Sequence, residues 1–117
     1  ESFRNFGEGY LLSSASMAWF GDHYKADPTD RRASPLDFPT DGLPPTLLVT
    51  AGLDPLRDQG RAYAAKLIQA GVPTIYREAK GNIHGYINLG QAIPSSQDDI
   101  KGALNLLKLM VAELNNR

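Results

Sequence analysis

Apolar and polar positions alternate in blocks along the chain, and their spacing predicts two strands and three helices around two irregular stretches. The opening residues, ESFRNFGEGYLL, mix aromatics with glycines and show no steady period, which predicts an irregular segment crossing a surface or packing beside a cleft. SSASMAWFGDHY follows, with serines placed to cap a helix and Met17, Phe20 and Tyr24 on one of its faces beside Trp19. That helix is expected to end by about Lys25. ADPTDRRASPLDFPTDGLPP then carries five prolines among aspartates and serines and reads as a long Pro-rich loop without repeats.

TLLVTA, residues 46–51, is almost continuously apolar and partly β-branched, so it predicts a short strand covered on both faces and paired in parallel. Leu56, Tyr63, Leu67 and Ala70 recur at helical spacing, and Gly71 is placed to close that helix. PTIYREA, residues 73–79, reads as a second strand, making a βαβ unit. KGNIHGYINLG is expected to be the loop after it. PSSQDD then offers a serine cap followed by acids suited to a helix N-terminus. Ile100, Ala103, Leu104, Leu107, Val111 and Leu114 form an apolar stripe, widened by Leu106, Leu109 and Met110, which predicts a well-buried final helix.

These 117 residues suffice for one domain with its own core. The composition, 42% hydrophobic and 21% charged, is that of a globular chain, and no apolar run is long enough to span a membrane. A net charge of -1 with scattered basic residues excludes the electrostatic footprint of a nucleic-acid binder. Without cysteine there is no disulfide framework and no thiolate metal site, which fits a reducing, cytoplasmic setting. The start has neither an initiator methionine nor a signal-peptide pattern and reads as the interior of a longer polypeptide. His23 beside Asp22 makes a poor metal site, because the second histidine is far away in sequence.

Candidate chemistry lies at the strand ends. In parallel α/β sheets functional groups collect beyond the carboxyl ends of strands, where the loops open onto a crevice. Asp54 sits just past the first predicted strand and His84 in the loop past the second. If the strands are neighbours, both side chains reach one rim, where a carboxylate can hold an imidazole tautomer while the other ring nitrogen acts as a base. Each residue alone has a plainer reading: Asp54 as a helix cap ahead of Pro55, His84 as a loop residue between glycines. Asp58, one turn on, is either a supporting acid or a solvated residue favourable to the helix dipole.

GLPPTLLVTAGLDPLRDQGRAYAAKLIQAGVPTIYREAKGNIHGY resembles the carboxyl-terminal part of α/β-hydrolase esterases and lipases of the hormone-sensitive-lipase family. The shared features are D-P-L-R-D after one strand and I-H-G-aromatic after the next, and the likeness extends upstream through EGYLLSSASMAWFGDHY and SPL. The resemblance implies a C-terminal βαβα portion of an α/β-hydrolase parallel sheet (44–117), preceded by a cap-type helix and the Pro-rich loop (1–43). It implies Asp54 as triad acid and His84 as triad base of a serine esterase acting on a small-molecule ester without a cofactor. Chain order agrees, since this fold places its triad as Ser, then Asp or Glu, then His.

The nucleophile has no counterpart here. No G-x-S-x-G or H-G-G-G-type oxyanion loop occurs, and Ser13, Ser14, Ser16, Ser34, Ser95 and Ser96 sit in cap, turn or helix-start contexts. The chain by itself is therefore expected to be inactive. Ala79 and Lys80 stand where family members often carry an aromatic and a proline. Met17, Trp19 and Phe20 resemble the helical lid over the family's pocket, and Tyr86 is either an acyl-pocket residue or a packing aromatic. The first strand is expected to expose a free edge through which the chain self-associates. The competing reading is a non-enzymatic α/β interaction module in which Asp54 merely caps and His84 merely fills a loop.

Overall fold

A computed structural model describes residues 1–116. Its elements are α1 (Ser2–Phe6), α2 (Ser14–Tyr24), β1 (Thr46–Leu53), α3 (Arg57–Gln69), β2 (Thr74–Ile83) and α4 (Ser96–Asn115), with short 3₁₀ turns at Pro35–Asp37 and Tyr86–Asn88. The strands pair in parallel with α3 as the connection between them, which is the βαβ unit that the apolar blocks predict. Arg117, last residue of the expected 44–117 unit, lies outside the described residues.

Local signals account for the helix ends. The Ser13 hydroxyl accepts from the Ser16 N–H at 3.1 Å, starting α2, and Lys25 closes it in a left-handed conformation. At the end of α3 the Val72 N–H reaches the Leu67 carbonyl and the Gly71 N–H that of Ile68, both at 3.0 Å. This Schellman arrangement requires the positive φ of +77° that Gly71 adopts without penalty.

The core is small. Ala51 of β1, Ala79 of β2 and Tyr86 form a buried cluster against which Ile100 of α4 packs, and Ala64 and Leu67 bury the inner face of α3. Ala79 lies opposite Ala51 in register and is fully enclosed.

Five expectations need correction. Residues 2–6 form a helical turn rather than irregular chain, because Ser2 is buried by long-range hydrogen bonds that no local pattern encodes. β2 continues through Lys80–Ile83, which reads as loop, because β1 also runs on to Leu53 and supplies a partner. Ser95 stands at the start of α4 without a side-chain cap bond, whereas Ser96 is completely buried. Finally, α4 is not well buried: Leu104, Leu107, Leu109, Val111 and Leu114 are 41–67% exposed. A 20-residue helix is roughly 30 Å long, while two strands spaced about 4.8 Å apart offer a face far too narrow to cover it. For the same reason β1 is only half-covered, with Val49 at the surface.

Candidate active site

Asp54 follows β1 directly and is buried, at 7% exposure. A buried carboxylate needs partners, and both of its oxygens have one. Oδ1 accepts from the Leu56 N–H at 2.8 Å, while the Asp54 carbonyl accepts from the Arg57 N–H at 3.0 Å. Oδ2 lies 2.9 Å from Nδ1 of His84, thirty residues further on. The two readings of Asp54 thus coexist: one oxygen organises the turn into α3, the other meets the imidazole. The turn is an aspartate turn one step ahead of the helix, since Leu56 occupies the N-cap position.

His84 is the first residue after β2, and Gly85 then takes a left-handed φ of +72° that swings the chain into the 3₁₀ turn. Tyr86 is thereby tucked into the core, while the His84 side chain stays 43% exposed. An ionised carboxylate only accepts hydrogen bonds, so the proton on this ring lies on Nδ1 and the Nε2 lone pair is free. The pair can therefore take a proton at Nε2 while Asp54 stabilises the resulting charge.

The pair borders an open cleft of about 780 Å³. Its walls come from Leu48–Ala51 of β1, Leu56 at the N-cap of α3, Tyr63 of α3, Tyr86 and Ile87, and the Ala33–Asp37 stretch of the Pro-rich loop. Burial, and then the charge of Asp99, push the Tyr86 phenol above its ordinary pKa, keeping it neutral. Met17 and Phe20 do not line this cleft; α2 buries no residue, and Trp19 and Phe20 are more than half exposed. His23 directs Nδ1 to the Trp19 carbonyl at 2.8 Å and stacks on the Trp19 ring. Among the described residues no cluster of three or more His, Cys, Asp or Glu could hold a metal ion. Among them, too, no helix is long and apolar enough to cross a membrane.

Asp58 does not contact the pair. Its carboxylate accepts from the Ser2 backbone N–H at 2.6 Å and from Arg57 Nε at 2.9 Å, and the Ser2 bond, followed by Arg57, holds it well below the usual carboxylate range. The Ser2 hydroxyl donates to the Pro55 carbonyl at 2.8 Å and accepts from the Asp58 N–H at 3.1 Å. Arg57 reaches the Gly52 carbonyl at 3.1 Å and lies over the Phe6 ring. The turn carrying Asp54 is thus braced by the N-terminal segment. Sequence reasoning missed Ser2, and nothing local marks it.

Comparison with known proteins identifies the family to which this fold belongs. Residues 1–88 match the family model of the alpha/beta hydrolase fold, so the chain belongs to that family, in its hormone-sensitive-lipase-like esterase branch. It is 42% identical over 91 residues to the carboxylic ester hydrolase LipN of Mycobacterium tuberculosis, covering 74% of this chain and 24% of LipN. It is 36% identical over 103 residues to the ethyl acetate hydrolase of Pseudomonas putida, covering 85% of this chain and 32% of that enzyme. Among solved structures it is similar to the ester hydrolase EH1AB1 from the Lake Arreo metagenome, with a TM-score of 0.78, 42% identity, and coverage of 97% of this chain and 36% of the other. The chain spans about a quarter to a third of the length of these curated relatives.

Proposed function

We propose that this chain supplies the acid and base of a serine carboxylic-ester hydrolase, with Asp54 orienting His84 for proton transfer. The observation that carries this reading is the 2.9 Å contact between Asp54 Oδ2 and His84 Nδ1 at the mouth of the cleft. A serine hydroxyl and oxyanion donors come from polypeptide outside this sequence, in which no G-x-S-x-G occurs. His84 Nε2 removes the serine proton as the hydroxyl attacks the ester carbonyl, then returns it to the departing alcohol; a water repeats the cycle to release the acid. Asp54 stabilises the imidazolium in both halves.

Short-chain acyl esters are the proposed substrates, a choice supported by the ethyl acetate hydrolase among the relatives and by the apolar walls around Leu48, Leu56 and Tyr86. Tyr86 in the acyl pocket is part of this proposal; Met17 and Phe20 enter it only as a lid displaced from the cleft. The isolated chain turns over no ester. Its cytoplasmic setting rests on the cysteine-free composition alone.

The test is an assay on a chromogenic acetate or butyrate ester with a protein that extends this sequence upstream through the nucleophile. His84→Ala lowers kcat at least 10³-fold if the reading holds. Equal rates in parent and variant remove His84 from the mechanism. The exposed apolar side of α4, with Trp19 and Phe20, favours a second reading as an interaction module, but that reading gives no reason for the Asp54–His84 contact.

A further inference from the structure

His84 owes its place to an irregularity in β2. The parallel register runs evenly to Ala51↔Ala79, but the next pair is Leu53↔Ile83, so Lys80, Gly81 and Asn82 face Gly52 alone. Bulges of this kind re-aim the side chains that follow them. This one turns the residue after Ile83 toward the carboxylate that follows β1.

The bulge is tied down from α4. Asn82, only 4% exposed, donates from Nδ2 to Asp99 Oδ2 at 2.8 Å, and Arg77, five residues earlier on β2, donates from Nη2 to Asp99 Oδ1 at 2.9 Å. One carboxylate thus grips β2 both ahead of its irregular residues, at Arg77, and at the last of them, Asn82. Gly102, one turn further along α4, leaves the space occupied by the Arg77 guanidinium, which a Cβ there would meet at 2.6 Å. On the opposite side, Gly52 admits the Lys80 backbone where any side chain would collide.

We infer that Asp99, acting through Asn82 and Arg77, is a positioning residue that locks the β2 bulge and so holds the His84 imidazole on Asp54. Asp98, its neighbour in the first turn of α4, is exposed and makes no bond to β2, so it shares the favourable helix-dipole location without the grip. Relevance to catalysis rests on the function proposed above; the placement of the ring does not.

The test reads the ring directly. Long-range ¹H–¹⁵N NMR on the 117-residue chain, recorded with the imidazole neutral, reports which nitrogen carries the proton. The parent is expected to hold it mainly on Nδ1, and Asp54→Ala defines the unpaired mixture. Asp99→Ala is expected to lose the Nδ1 preference and match Asp54→Ala, whereas Asp98→Ala keeps the parent pattern. An Asp99→Ala chain that retains the Nδ1 proton overturns the inference, as does a parent that already matches Asp54→Ala. Should Asp99→Ala fail to fold, Asn82→Ala decides in the same way: loss of the Nδ1 preference with β1 and α3 amide signals unmoved supports the lock, and retention overturns it. In the extended, active protein Asp99→Ala should lower kcat about 100-fold at unchanged KM. There His84→Ala separately tests the enzyme reading, so the two can fail independently.

Discussion

Gly52 of β1 and the Lys80 carbonyl of β2 are packed so closely that a Cβ on Gly52 would overlap the Lys80 backbone. Backbone cannot swing aside as a long side chain can. Gly52→Ala is therefore expected to cost about 1–3 kcal/mol, the scale of overpacking a tight site. Urea unfolding of parent and variant checks this: a lower midpoint at unchanged slope is the expected outcome.

Asp54→Asn keeps an oxygen for the Leu56 N–H but turns an amide N–H₂ toward His84. The imidazole must then present a lone pair at Nδ1 and carry its proton on Nε2, where it cannot act as a base. Turnover by the extended protein is expected to fall roughly 10⁴-fold with little loss of thermal stability. The measurement is kcat beside the melting temperature; a variant that loses both to the same degree points to a merely structural carboxylate.

Asp58 links stability to pH. The Ser2 N–H and then Arg57 hold its carboxyl well below the usual range, so the folded value lies beneath the unfolded value of about 3.9. A depressed carboxyl stabilises the fold above the unfolded value, and that contribution disappears as pH falls through the folded one. At pH 7 Asp58→Asn should be less stable by ~1 kcal/mol, a charge-assisted bond discounted for a side chain that is 31% exposed. Below about pH 3 the two unfolding curves should approach each other.

Among the described residues β1 pairs only with β2, leaving its other edge free beside the cleft, while α4 exposes its leucines. Both features favour association of one copy with another. Light scattering on the chain should give a mass that rises with concentration; a constant monomer mass at high concentration counts against this.

Sequence alone was sufficient for elements whose causes are local. Ser13 and Gly71 mark helix ends through bonds within a few residues, and the apolar blocks at 46–51 and 73–79 sit far enough apart to demand a helical crossover. Asp54 and His84 were legible because both follow strand ends and because their flanking residues match a known pattern. Tertiary structure decided what depends on residues distant in sequence. Ser2 braces the turn at Pro55, and Asp99 grips Asn82 across 17 positions, pairings that leave no periodic trace. The same holds for the bulge at Lys80–Asn82, since a strand's register is set by the neighbour it meets. Periodicity identified the apolar stripe of α4, but only the width of the sheet beneath it determined how much of that stripe is covered.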